Sequence, residues 1–248
     1  MEWQAPAVVL DVRPHGESSA VVTLLTEEHG RHAGLAKGGA SRAQAALWQP
    51  GNLVEARWVA RLADQLGAVS AELVHAAAAL AMEDPLALAA LRAATGVAEG
   101  ALPEREPHPR LFHGLVAVIA QLARGPEAAL PELVRWEAEL LADLGYGLDL
   151  GRCAVTGGTD DLCFVSPRSG RAVSRQGAGE WATRLLPLPA FLLGQGPSEH
   201  ADWLAGLRLT GHFLARDVFG TQHRPLPAAR EMLVDRLAAL VAPGGQLG

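Results

Sequence analysis

The residues best suited to chemistry in this sequence lie between Gly34 and Arg42, in Gly-Leu-Ala-Lys-Gly-Gly-Ala-Ser-Arg. Two adjacent glycines let a backbone approach a phosphate closely, and Lys37 and Arg42 supply positive charge beside them. A plain surface hairpin with flanking basic residues has the same pattern, so the loop gains meaning only from its company. Arg13, Arg31, Arg57 and Arg61 fall on neighbouring strand candidates and could line one face with Lys37. A second group, Arg168, Arg171, Arg175 and Arg184, shares its span with a single acidic residue, Glu180. It reads either as an extension of a track for a polyanion or as a solvated charged loop.

Other chemistry is sparse. No segment matches the phosphate loop GxxxxGK[ST], the dinucleotide fingerprint GxGxxG, the nucleophile elbow GxSxG or the zinc helix HExxH. The nine histidines are scattered singly; His212 and His223 near Asp217 read as packed or surface side chains, and Asp160-Asp161 as a solvated turn. A closed zinc site needs four Cys or His ligands, usually in two close pairs. Cys153 has Thr156 where a C-x2-C partner would stand, and no histidine lies between His113 and His200. The expectation is therefore no catalytic group, no bound metal and no cofactor. A rival reading is a small metal-dependent hydrolase built on Cys153, Cys163 and Asp160 or Asp161.

Charge narrows the partners. The chain of 248 residues carries a net charge of −6, and its first 75 residues hold six basic and eight acidic side chains, so any polyanion contact must be a local patch. Lys37 is the only lysine among 21 basic residues. Nearly every cation is thus a planar guanidinium able to make paired hydrogen bonds, although GC-rich coding produces the same bias. With 49% hydrophobic residues the chain has ample material for packed cores, which excludes disorder as its dominant state. Apolar runs such as Ala76–Met82 are far too short to span a bilayer, and Met1-Glu2-Trp3-Gln4 has no signal-peptide character. Two cysteines in so long a chain suit a reducing compartment, and a cytoplasmic location is expected.

The elements that must position these residues divide at about residue 75. Before it, apolar residues alternate with the period of half-buried strands: Val8, Leu10 and Val12 on one face with Asp11 and Arg13 on the other, and Val54 to Leu62 with Glu55, Arg57 and Arg61 on one side. Turn residues separate five strand candidates at about 5–13, 18–26, 31–37, 52–62 and 66–72. Five short antiparallel strands predict a closed OB-fold barrel over residues 1–75, with an SH3-like barrel as the rival. Beyond it the period becomes helical. Apolar stripes predict helices near 109–124, after Pro131, along Trp203, Leu207, Thr210, Leu214 and Val218, and from Ala228 to Leu240 before a frayed Pro243-Gly244-Gly245 end. Residues 76–248 form a helical domain interrupted by an irregular insertion at about 147–177, so the fold class is α+β.

The succession of segments resembles the RecO family of recombination mediators. The residues that carry it are Val21-Val22-Thr23-Leu24-Leu25-Thr26, Glu28-His29-Gly30-Arg31, Lys37-Gly38-Gly39, Leu47-Trp48-Gln49-Pro50-Gly51, Leu140 to Leu150 leading to Cys153, and Phe164-Val165-Ser166-Pro167 leading to Gly170. The resemblance spans nearly the whole chain. It implies an OB-fold barrel, a helical domain and a zinc-ribbon-like insertion. It also implies binding of single- and double-stranded DNA, annealing of complementary strands, contact with RecR and with the tail of single-strand-binding protein, and indirect loading of RecA in the nucleoid. Many relatives carry two C-x2-C pairs, whereas the matching positions here are Cys153, Thr156, Ser174 and Gly177; the ribbon is degenerate and zinc is not carried over. Leu162, Phe164 and Val173 would have to hold the insertion by packing.

The DNA role passes first to Lys37 and Arg42, then to Arg13, Arg31, Arg57 and Arg61, with Arg168, Arg171 and Arg175 as an extension. The acidic, apolar-ended tail of the single-strand-binding protein would want an apolar pocket rimmed by arginine. Arg124, Arg135 and Arg216 near Leu122, Trp136 and Phe219 are the candidates. The alternative reading is a protein-interaction adaptor whose barrel is a docking platform with only incidental DNA contact.

Overall fold

The computed structural model describes residues 1–62, 65–196 and 198–242. The expected frayed end at Pro243-Gly244-Gly245 lies outside the described residues. The chain divides into two compact units, Met1–Ala129 and Leu130–Gly248.

The first unit contains the barrel. Its strands are β1 (Glu2–His15), β2 (Ser19–Thr26), β3 (Gly30–Ala36), β4 (Leu53–Val59) and β5 (Ala68–His75), closed in the order β1-β2-β3-β5-β4. All pairings are antiparallel except β3 with β5, which meet in parallel through Leu35 and Ala68. This is the OB-like barrel expected from the alternation. Val9, Val22, Leu24, Val54, Ala56 and Trp58 fill its interior, and Trp48 from the long β3–β4 connection joins them.

The first strand departs from strict alternation. Ala7, Val8, Val9 and Leu10 are all buried, because both barrel faces are covered along this stretch. Three helices, α1 (Ala77–Ala81), α2 (Pro85–Ala101) and α3 (Pro109–Leu122), follow the barrel, and α2 packs on β1 while α3 packs on β2. A bulge between Val9 and Asp11 then resets the register. The start of α2 is locally encoded. Asp84 accepts hydrogen bonds from the backbone N–H groups of Leu86 at 2.7 Å and Ala87 at 3.1 Å, and Pro85 occupies the first turn. Gly51 lets this helix in: a Cβ there would meet the Leu91 side chain at 2.5 Å.

Helix α4 (Pro126–Asp143) crosses from one unit to the next. It begins five residues before the expected start and tolerates Pro131 inside it, forfeiting one hydrogen bond to the Glu127 carbonyl. In the second unit, β6 (Leu162–Val165), β7 (Ala172–Ser174) and β8 (Leu186–Pro187) form a small sheet in the order β7-β6-β8. The segment expected to be irregular therefore has a sheet of its own, with Leu162 and Val173 buried. A short α5 (Arg175–Ala178) and a 3-10 turn (Gly179–Arg184) connect β7 to β8.

Helices α6 (His200–Phe213) and α7 (Ala228–Val241) complete this unit, and α6 continues as a π-helical segment over Leu214–Phe219. Trp203, Leu207, Thr210, Leu214 and Val218 are all buried, as their stripe predicts. The core also holds an ion pair. Arg230 on α7 donates from Nε to Glu137 Oε1 of α4 at 2.5 Å and from Nη2 to Oε2 at 2.9 Å and to the Leu207 carbonyl at 2.7 Å. The Thr210 hydroxyl donates to the same carboxylate. Both charged side chains are essentially out of solvent.

Candidate nucleic-acid interface

Lys37 and Arg42 sit where β3 ends and the long connection to β4 begins, and both side chains are exposed. The turn is locally determined. Gly38 adopts φ +72°, which favours glycine, and a Cβ on Gly39 would meet that of Ala36 at 2.8 Å. Ala40 donates its N–H to the Ser18 carbonyl at 2.9 Å, tying the loop to the β1–β2 turn. Lys37 and Arg57 line one groove of about 320 Å³ with Gln44, Val59 and Val69. A neighbouring depression of about 260 Å³ is lined by Arg57 but also by Glu55 and Glu72.

The remaining arginines separate by what they touch. Among the described residues, Lys37, Arg42, Arg61, Arg168 and Arg184 form no ion pair. Arg13 is held by Asp11 at 2.6 Å and by Glu99 at 3.2 Å. Arg31 is largely buried; its Nε donates to the Leu102 carbonyl at 2.7 Å, and Glu99 and Glu104 lie within 3.7 and 3.8 Å of its Nη1. It clamps β3 to the chain that follows α2. Arg57 pairs with Glu2 at 2.6 Å. Arg61 lies beyond the end of β4, which is shorter than the alternation suggests.

In the second unit, Arg171 pairs with Asp149 at 3.4 Å and Arg175 with Asp161 at 3.2 Å, all four side chains well exposed. Arg216 is fully engaged. It makes two 2.7 Å hydrogen bonds to Asp217, which raise its pKa, and donates to the carbonyls of Pro167 and Arg168. Arg135 binds Glu132 and donates to the Phe191 carbonyl at 3.3 Å. Arg124 meets Gln121 at 3.1 Å. Leu122, Trp136 and Phe219, the apolar neighbours expected beside these arginines, are all buried.

Two features carried no sequence signal strong enough to single them out. Trp3, His29, His32 and Trp58 form an aromatic layer, with His32 edge-on to Trp58 at 4.6 Å and to Trp3 at 5.3 Å, and Trp3 stacked on His29 at 4.8 Å. Burial lowers the pKa of His32, and neither of its ring nitrogens has a hydrogen-bond partner. The second is Trp181, which stands out on the 3-10 turn with the Arg184 guanidinium 4.7 Å from its ring centroid. Its place outside every apolar stripe was the available clue.

The four positions matched to the ribbon pairs, Cys153, Thr156, Ser174 and Gly177, gather around one sulfur. Cys153 Sγ accepts hydrogen bonds from the Ser174 N–H at 3.2 Å, the Ser174 hydroxyl at 3.3 Å and the Thr156 N–H at 3.4 Å. A Cβ on Gly177 would come within 2.8 Å of the same sulfur. Four positions that the sequence places in two x2-spaced pairs thus converge, but they present one thiol, two hydroxyls and no fourth donor. That set does not fit zinc, and among the described residues no three His, Cys, Asp or Glu side chains group as metal ligands. Hydrogen bonds to sulfur hold the knuckle instead. Burial pushes the Cys153 thiol up, but the bonds from Ser174 and Thr156 outweigh it and bring the pKa down to about 6. Cys163 is pushed up by burial, and both cysteines are free.

Comparison with known sequences places this architecture. The family described as Recombination protein O N terminal matches residues 1–77, and Recombination protein O C terminal matches residues 82–226. The chain belongs to the RecO family. Proteins named DNA repair protein RecO from Gluconacetobacter diazotrophicus and Granulibacter bethesdensis are 59% and 57% identical to it. The first alignment covers 97% of this chain and 96% of the relative, the second 97% of each. A third relative, from Acidiphilium cryptum, is 58% identical over 96% of both chains. This RecO-family chain is accordingly a DNA repair and recombination protein with an OB-like barrel and a helical domain. No helix among its described residues is long and apolar enough to cross a membrane.

Proposed function

We propose that the protein is a recombination mediator that binds single- and double-stranded DNA, anneals complementary strands, and acts with RecR to load RecA on DNA coated by single-strand-binding protein. It works as an electrostatic scaffold in the cytoplasm, at the nucleoid, and needs no catalytic group or cofactor. Cations offset the repulsion between two phosphate backbones, and base pairing supplies the driving force. The observation that carries this reading is the exposed Lys37, without an ion-pair partner among the described residues, lining a groove with Arg57 on an OB-like barrel, with exposed Arg42 five residues on in the same loop. The aromatics of the barrel are buried or half-buried, so contact there runs through the DNA backbone.

A second reading, an interaction adaptor, is favoured by the carboxylates around Arg57 and by exposed Leu73, Val74, Leu80 and Met82 on β5, α1 and the residue after it. Titration of labelled single-stranded DNA at several salt concentrations separates the two. A mediator gives a linear fall of log K with log salt, at about 0.7 per phosphate neutralised on single strands, and accelerates annealing of complementary oligonucleotides. Absence of binding at low salt would leave the adaptor.

A further inference from the structure

Of the six tryptophans, Trp48, Trp58, Trp136 and Trp203 are buried, Trp3 is half-buried, and Trp181 is 61% exposed. An indole offers one of the largest apolar surfaces of any side chain, and leaving it in water forgoes the stabilisation that the other tryptophans gain.

The turn that carries Trp181 is anchored at both ends. Upstream, the Ser174 hydroxyl caps α5 by accepting the Gly177 N–H at 3.1 Å while also donating to Cys153. Downstream, Leu185 donates to the Ala182 carbonyl at 3.2 Å, and Leu186 enters the sheet opposite Val165. The indole is thus presented by a fixed turn whose neighbours Gly179, Glu180, Thr183 and Arg184 are all exposed. Glu180 adjoins the indole, but the charge that lies over its ring is a guanidinium. Arg184 lies over the ring and has no carboxylate partner among the described residues. Arg175, six residues upstream, is tied among the described residues to Asp161 in an exposed pair, an interaction weak enough to be exchanged for a phosphate.

We infer that Trp181 and Arg184 form a stacking platform for unpaired bases of single-stranded DNA, with Arg184 and Arg175 meeting the adjoining phosphates. The inference rests on the DNA-binding reading above and deepens it by adding a contact that discriminates between strands. A duplex hides its base faces, so only unpaired bases can use the indole, whereas the cations of the barrel serve either form. An acidic, apolar-ended peptide is the competing occupant. It would need apolar walls, and the turn around Trp181 supplies exposed polar neighbours instead.

The test uses the full-length protein, oligo(dT), a duplex of the same length, and variants Trp181→Ala and Trp181→Phe. Oligo(dT) is expected to quench the solvent-accessible tryptophan emission of the unaltered protein, and that quenching should vanish in both variants. Trp181→Ala should weaken single-strand affinity by about 5- to 150-fold, the range for loss of one stacked base. It should leave duplex affinity and the salt slope unchanged, and Trp181→Phe should restore most of the affinity. If the unaltered protein and Trp181→Ala bind oligo(dT) equally well, the platform is overturned while the DNA-binding reading stands. If the accessible emission responds to an acidic apolar-ended peptide and not to oligo(dT), the platform is overturned in favour of that partner. If neither form of DNA binds at low salt, both readings fall together.

Discussion

Replacing Lys37 and Arg42 together by alanine removes two exposed cations of the β3–β4 loop that have no carboxylate partner among the described residues. If each neutralises one phosphate, the slope of log K against log salt for single-stranded DNA falls by about 1.4, at about 0.7 per phosphate. Between 50 and 200 mM salt the affinity advantage of the unaltered protein should then shrink by about sevenfold, which polarisation titrations at four or five salt concentrations resolve. Unfolding should be nearly unaffected, within about 0.5 kcal/mol, because neither side chain is buried or paired among the described residues. Arg31→Ala is the matched control. Its guanidinium holds the Leu102 carbonyl at 2.7 Å between β3 and the end of α2, and losing a charged hydrogen bond of this kind costs about 1.5–3 kcal/mol. It should lower the unfolding midpoint and leave the salt slope unchanged. An unchanged slope in the double variant, or a reduced slope with intact stability in Arg31→Ala, would refute the division of the arginines by their partners.

Three further outcomes follow from the buried and titrating groups. Arg230→Met strands the Glu137 carboxylate in the core and should cost about 3–5 kcal/mol in urea unfolding, while Arg230→Met with Glu137→Leu should recover most of it; a single variant as stable as the parent refutes the account. In a Cys163→Ser background, thiolate absorbance of Cys153 at 240 nm should rise with a midpoint near 6, and a midpoint above about 8 would contradict the hydrogen-bonded knuckle. Because this folded-state value lies below the unfolded 9.0, the thiolate contributes fully to stability above pH 9, and the contribution fades as pH falls toward 6. His32 is held neutral by burial, so the stability it supports is present above its ordinary 6.5 and is lost as pH falls below it. His32→Phe should flatten that acid limb, as read by thermal scans between pH 7.5 and 5; an unchanged limb assigns the acid sensitivity elsewhere.

The sequence by itself determined the elements and the kinship. Strand alternation and helical stripes are local patterns, so the five barrel strands, α3 and the buried face of α6 were legible within a few residues, as was the ordered set of segments that marks the RecO family. Only the tertiary structure decided what each charged or reactive side chain does. Arg31 and Arg42 are the same residue type on adjoining segments, yet Arg31 is clamped by groups more than sixty residues away, at Glu99 and Leu102, while Arg42 has no ion-pair partner among the described residues. The Cys153 thiol pKa is lowered because Ser174 is folded back onto its sulfur, and Trp136 is packed over while Trp181 is left exposed. Periodicity records which way a side chain points from its own element. Whether a carboxylate, a carbonyl or solvent waits there depends on distant segments, and that is settled when the chain closes on itself.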